Sequence, residues 1–413
     1  MTDLTRDDLY AMDVADPLAD LRDRFDLPGG VIYLDGNSLG AMPKAAKALA
    51  SDVVSRQWGH DLIKSWNSNH WFTLPYRLGD KLARLLGADQ GEIVCCDAVG
   101  INLYKALALA IKLNPDRRVI LMEDDNFPTD VYMAQGLIDQ LDGDYQLKLV
   151  PGPDLADAID DKVAVVSITQ VNYKTGLMQD MKAVCEKARA AGALTIWDLS
   201  HSAGAVPVDL NDAGADIAVG CTYKYLNGGP GSPGYVFVAV RHQNKAQQPL
   251  TGWWGHRAPF AFDRHYDAGP GIQQMSTGTQ PITSMSLVEP GLDMFLDVDF
   301  DLVRDKSVKL CDLFIRLVEE RCTGMGFYLN SPRDAQMRGS QVSFNHESGY
   351  AITKALISKG VIGDFRAPAN MRFGFAPLYV RYSDIWNAVE ILRDIMKNDT
   401  WRAPEFNKVD AVT

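Results

Sequence analysis

Residues 217–240 read IAVGCTYKYLNGGPGSPGYVFVAV. Two apolar runs, 217–220 and 235–240, enclose a polar, glycine-rich turn that carries Lys224. Runs that are apolar at consecutive positions belong to strands covered on both faces. A turn leaving such a strand lies at the sheet edge where α/β proteins gather their ligands. A lysine in a loop is ordinarily a solvated charge. Here Thr222 and Tyr223 precede it, and Asn227, Gly228, Gly229, Gly231 and Gly234 let the backbone crowd a bound group. Lysine forms imines with aldehydes, and partial desolvation frees its amine as a nucleophile.

Outward from this turn, further strand-like runs occupy 93–96, 119–122, 163–169 and 194–198. Helical periods separate them. Tyr104, Leu107, Ala108 and Ile111 share one face; Met181, Val184, Cys185 and Ala188 share another, closed by Gly192. The alternation predicts an α/β fold whose large domain has a mainly parallel sheet flanked by helices. The C-terminal third changes character. Helical patterns run from about Asp301 to Cys322 and from Ser383 as an N-cap, with QVSFN (341–345) and MRFGFAP (371–377) between them as strands. A smaller α+β C-terminal domain is expected there. The 413 residues divide into an N-terminal segment, 1–60, packing on the small domain, a large domain, 61–285, and a small domain, 286–413.

The net charge of -12 repels phosphate backbones and argues against nucleic acid as a partner. Six cysteines, Cys95, Cys96, Cys185, Cys221, Cys311 and Cys322, form no CxxC pair, so neither a metal site nor a disulfide framework is expected. MTDLTRDDLY lacks an apolar targeting core, and no run of about 18 apolar residues could span a membrane. These features point to a cytoplasmic protein with reduced thiols.

An imine-forming lysine that works through an aldehyde cofactor needs two companions, a carboxylate at the ring nitrogen and an anion site for the phosphate. Asp198 ends an apolar run in LTIWDLSHSAG (194–204), with His201 three residues on. Taken alone, a turn-capping role for Asp198 competes with the cofactor role. For the phosphate, 97–102 joins a strand to a helix starting near Ile101, and free N–H groups at a helix N-terminus attract anions. Phe127 and Asp130, in EDDNFPTD (123–130), fall at the same sheet edge, Phe127 to stack on a ring or to join the core. Arg372 could clamp a substrate carboxylate with parallel hydrogen bonds, or form a surface ion pair.

Together YLDGNSLG (33–40), NFPTD (126–130), WDLSHSAG (197–204), TYKYLNGGPG (222–231), GWWGH (252–256) and RFGFAPLYVRY (372–382) resemble the kynureninase family, within the fold type I, class V group of pyridoxal-phosphate enzymes. The resemblance implies pyridoxal 5'-phosphate held as a Schiff base by Lys224. Asp198 and Asp130 would face the pyridine nitrogen, with His201 nearby and Phe127 on the ring. Pro128 and Thr129 belong to the same cofactor-binding run. Val99 and Gly100 would offer backbone to the phosphate, helped by Tyr223, with Thr169 as a further cofactor contact. Trp253 and Thr279 match positions reaching the phosphate from a second subunit, which implies a homodimer with a shared active site. Arg372 would take the substrate's α-carboxylate and His60 would line its aromatic end. Lys224, Tyr223 and Asp198 would be catalytic. The implied reaction is hydrolysis of L-kynurenine to anthranilate and L-alanine in tryptophan catabolism, with Thr279 leaning away from 3-hydroxykynurenine. Family members usually carry Ser or Thr where this chain has Gly100, so one hydroxyl bond to phosphate, worth about 1.5–3 kcal/mol when charge-assisted, would be missing. A class V aminotransferase or a cysteine desulfurase would share the fold and Lys224. The latter needs a reactive cysteine on a mobile loop, and none lies between Cys221 and Cys311. A non-catalytic binding protein of the same fold is the remaining alternative.

Overall fold

The central strands assemble because they are apolar on both faces. Ile93–Cys95, Val163–Thr169, Ile217–Cys221 and Gly234–Val238 are buried at every position, and only a sheet sandwiched between helices can bury both faces. The computed structural model describes residues 4–245 and 247–408. In it a seven-stranded sheet runs in the order 93–95, 234–238, 217–221, 194–198, 163–169, 119–123, 146–150. All pairings are parallel except those of Gly234–Val238, which is antiparallel to both neighbours. The glycine-rich turn after Lys224 is short enough only for a reversal, and parallel neighbours need a longer crossover.

Sequence reading differs from the structure at several ends. Gln146–Val150 is a strand that hydrophobicity did not announce: it lies at the sheet edge and no position in it is buried. The last large-sheet strand stops at Val238, and Val240 is exposed. The helix after the first of these strands begins at Val99, not Ile101. The final helix, Tyr382–Lys397, is capped by Arg381, whose backbone N–H donates to Asp384 Oδ2 at 3.0 Å; Ser383 lies inside its first turn. Gly192 does close Met181–Ala191 in the left-handed conformation, at φ 76°.

A second sheet is antiparallel throughout, in the order 364–366, 370–374, 341–345, 328–329. Helices Phe300–Arg321 and Tyr382–Lys397 back it, each turning apolar residues such as Leu310, Phe314, Ile385 and Val389 into its core. The N-terminal segment touches both bodies. Asp13 accepts from the N–H groups of Tyr382 and Ser383 (2.7 and 3.2 Å), and Asp16 forms a buried ion pair with Lys306 at 2.6 Å. Ile32–Tyr33 pairs in parallel with Val361–Ile362. Gly40 N–H then donates to Tyr223 O at 2.8 Å. A side chain at position 40 would collide with the backbone of Lys224, so this glycine permits the two segments to meet.

Candidate active site

Each functional side chain leaves the end of a strand or the start of the helix that follows it. Asp198 is the last residue of Leu194–Asp198, and Thr169 the last of Val163–Thr169; the two are register partners. Asp130 lies in the first turn of Pro128–Ile138, and Lys224 stands three residues beyond Ile217–Cys221. Parallel pairing therefore gathers residues from Asp130 to Lys224 at one edge.

Lys224 Nζ lies 2.9 Å from His201 Nε2 and 5.8 Å from the centre of the Tyr223 ring. Asp130 and Asp198 are buried and share a field with the lysine. Burial pushes both carboxyls up; repulsion from Asp198 adds to the effect on Asp130, while Lys224 pulls each back. Asp198 also accepts a 2.7 Å bond from Ser200 N–H. Capping the turn and facing the lysine prove compatible, since the carboxylate has two oxygens. Burial, then the charges of Lys224 and Arg372, drive His201 well below the usual imidazole range, so its ring is neutral. Burial raises the Tyr223 phenol as well, which keeps it protonated. Replacing Tyr223 by phenylalanine is expected to lower turnover by about 100-fold, the lower end for loss of one proton-transfer group, with little change in KM. Initial-rate kinetics check this; an unchanged kcat would remove Tyr223 from the proton path.

The residues fit pyridoxal 5'-phosphate. Two carboxyls are buried beside one lysine and both are pushed up, and a protonated pyridine facing them would favour their ionised forms. His201 Nδ1 is buried without a partner. The helix Val99–Leu113 starts after Ala98 with no side-chain cap, leaving the N–H groups of Val99 and Gly100 for an anion. Asp97 anchors that corner: it receives Lys105 Nζ at 2.7 Å and Thr277 Oγ1 at 3.2 Å. At Gly100 an added Cβ would meet Met133 Cε at 3.0 Å and Thr129 Cγ2 at 3.1 Å. A larger residue there would press on both side chains, which would have to give by a few tenths of an ångström.

Other assignments land unevenly. Thr169 Oγ1 is bonded to Asn126. Phe127 is not core: it is 43% exposed and meets Tyr173 edge to face at 5.2 Å. Pro128 opens its helix and Thr129 is half-buried beside Gly100. Arg372 is not at the surface. It is 2% exposed, with Nε bonded to Asp364 Oδ1 at 2.8 Å, Nη1 to Tyr173 O at 2.6 Å and Nη2 to Ser38 Oγ at 2.7 Å. His60, Trp253 and Thr279 are all open to solvent in this chain. The His60 side chain is 80% exposed with Nδ1 3.0 Å from Asp61 Oδ1, Trp253 is 40% exposed, and Thr279 is exposed. Asp364, Ser38 and Tyr173, which set Arg372, had no role in the sequence reading. The GNSLG stretch that contains Ser38 was the one available signal.

The architecture is the type I fold of pyridoxal-phosphate-dependent transferases. It superposes on the apo cysteine desulfurase of Thermococcus onnurineus NA1 with TM-score 0.77 and 18% identity, over 92% of this chain and 98% of that one. A C-DES mutant with glycine covalently linked to its PLP cofactor gives TM-score 0.77 at 16% identity, over 90% and 99%. Residues 303–392 match the family model described as Kynureninase C-terminal domain. Over 414 aligned residues the chain is 58% identical to a kynureninase of Burkholderia pseudomallei (strain 1106a) and 52% identical to one of Pseudomonas fluorescens, covering 99% of this chain and 100% of each relative. The chain belongs to the kynureninase family.

Proposed function

We propose that this protein hydrolyses L-kynurenine to anthranilate and L-alanine with pyridoxal 5'-phosphate, as a hydrolase acting on a carbon–carbon bond of a ketone. The observation that carries this reading is the Lys224 amine set against His201 over the buried pair Asp130 and Asp198. When bound, the cofactor supplies an aldehyde for amines and a protonated ring that draws electrons from the substrate. Asp198 and Asp130 hold that ring's proton. Lys224 Nζ would be the amine that holds the cofactor's aldehyde, and once free it would take the substrate's α-proton as a base and return it as an acid. Water adds to the γ-carbonyl, the Cβ–Cγ bond breaks and anthranilate leaves. Tyr223, whose phenol burial pushes further up from an already protonated state, would relay a proton to the three-carbon remainder so that it can depart as L-alanine. Arg372 receives the α-carboxylate, and the N–H groups of Val99 and Gly100 the phosphate.

A homodimer sharing its sites belongs to this proposal. Trp253, Phe260 and Phe262 form an exposed aromatic run, with ring centres 5.8 and 6.3 Å apart, and a second copy would cover it while bringing Trp253, Thr279 and His60 to the neighbouring site. A cytoplasmic location and a place in tryptophan catabolism or NAD biosynthesis accompany the reading. No helix among the described residues is long and apolar enough to cross a membrane.

A desulfurase reading gains no support, since Cys311 and Cys322 are both buried and Cys311 lies within a helix. Adding L-kynurenine and pyridoxal 5'-phosphate should produce the fluorescence of anthranilate together with L-alanine. Release of a keto acid instead would assign transamination, and no turnover would favour a binding protein.

A further inference from the structure

Arg372 does not wait for a substrate as a free cation. In the small sheet it stands opposite Asp364 in register, and the two form a fork, Nε to Oδ1 at 2.8 Å and Nη2 to Oδ2. Arg366 adds a second guanidinium at 2.6 Å from Asp364 Oδ2, and Ser38 Oγ donates to the same oxygen at 3.0 Å. Beside this cluster lies a second acid. Asp35 forms a parallel bridge to Gly374, two residues from Arg372 on the same strand, and Gly374 N–H donates to Leu34 O at 2.7 Å. Asp35 Oδ1 is shut off from solvent and has no hydrogen-bond partner.

The groups that face Asp35 can be named from every side. Asp364, Arg372 and Arg366 come from the small sheet, Ser38 and Tyr33 from its own segment, Tyr225 from the lysine loop and Tyr379 from the chain preceding the last helix. The tyrosines are neutral, all raised by burial. His201, which faces the same two arginines, is neutral too. The charged inventory is therefore two carboxyls and two guanidiniums. Arg366 is partly exposed, with 43% of its side chain open to solvent, so water screens its share. A substrate carboxylate arriving at Arg372 makes a third anion against two cations. Asp364 is locked in the ionised form by its fork with Arg372 and lies below the ordinary range. Asp35 has no such fork.

We propose that Asp35 takes up one proton when a substrate carboxylate binds at Arg372, and so acts as a positioning residue that balances charge beneath the carboxylate site. This rests on the reading that Arg372 receives the α-carboxylate. The proton comes from solvent, adds to Asp35 and returns when product leaves; no other bond changes. Burial and the Asp364 charge push Asp35 up to about 7 before substrate arrives, and a further anion pushes in the same direction. Below that pH Asp35 is already protonated and binding needs no proton. Above it, affinity for a carboxylate substrate weakens by up to about tenfold per pH unit until the bound-state value is reached.

The test compares L-kynurenine with kynuramine, its decarboxylated counterpart, on the holoenzyme. Dissociation constants come from stopped-flow visible spectra before turnover, between about pH 6 and about pH 8.5. The preference for L-kynurenine should be constant at the acid end and fall by up to about tenfold per unit above pH 7. Asp35→Asn should make it independent of pH, and Arg372→Met should erase it at every pH. A flat preference in the wild-type enzyme overturns the proposal, even if Asp35→Asn does not fold. So does a wild-type slope that survives in Asp35→Asn. A preference that persists in Arg372→Met is a different failure: it removes the carboxylate reading on which the proposal stands.

Discussion

Changing Lys224 to alanine is expected to reduce anthranilate formation by about 10⁴-fold, the upper range for losing a group that transfers protons in the transition state. On the proposed function the amine has two duties, holding the aldehyde and moving the α-proton. Lys105, also near the large-sheet edge, is fully buried and committed to Asp97 and the Met275 carbonyl. The fold should survive, because Lys224 is half-buried in a loop, its side chain bonds to His201, and the backbone bond from Asn227 N–H to its carbonyl is kept in the variant. Borohydride treatment of the wild-type holoprotein followed by peptide mapping should label Lys224, and the variant should lose both the label and the visible absorbance of the wild type. Turnover within tenfold of wild type, or a label on another residue, would dismiss the assignment.

Asp198→Asn is the second large effect. The amide can still accept from Ser200 N–H, so the turn is kept while the charge is removed. The ring nitrogen would then lack the anion that holds its proton. Loss of one pre-organised electrostatic partner costs about 10²–10³-fold in kcat, and KM should move far less, because the proposed function sets Asp198 against the cofactor and Arg372 against the carboxylate. Stability of the apoprotein should shift the other way. Burial raises the folded-state pKa of Asp198, and a carboxyl raised in this way lends stability that is fully present at low pH and is lost as pH rises through the folded value. Near neutral pH the ionised acid is thus a cost to the apoprotein. The asparagine variant should melt higher than wild type at pH 7 and no higher in acid. Thermal melts across pH test the sign, and a lower melting temperature at pH 7 would show that the charge is satisfied by partners other than the cofactor. The combination of a more stable and far slower enzyme is what a residue held for chemistry at the expense of folding produces.

Much of the large domain was open to a reader of the chain, for a physical reason. Strands such as Val163–Thr169 and Ile217–Cys221 are buried on both sides, so their hydrophobicity needs no periodicity to be seen. Gln146–Val150 escaped notice because it closes the sheet at a partly exposed edge, where polar residues are tolerated. The direction of Gly234–Val238 is not written in its composition. Lys224, Asp198 and Asp130 were visible because each follows or ends a recognisable run. Asp364 and Ser38 were not: what gives them meaning is contact with Arg372, 8 and 334 positions away.

The chain alone determined where the buried strands and their polar ends fall, since burial of contiguous apolar residues is a local demand. It also determined that an amine and two acids sit at such ends. Tertiary structure decided the charges they bear. Which acid is ionised, whether His201 is neutral and whether Arg372 is free or forked depend on solvent exclusion and on neighbours brought together across the whole chain. Electrostatic energy in a low-dielectric interior is set by distance through space, and distance along the sequence does not report it.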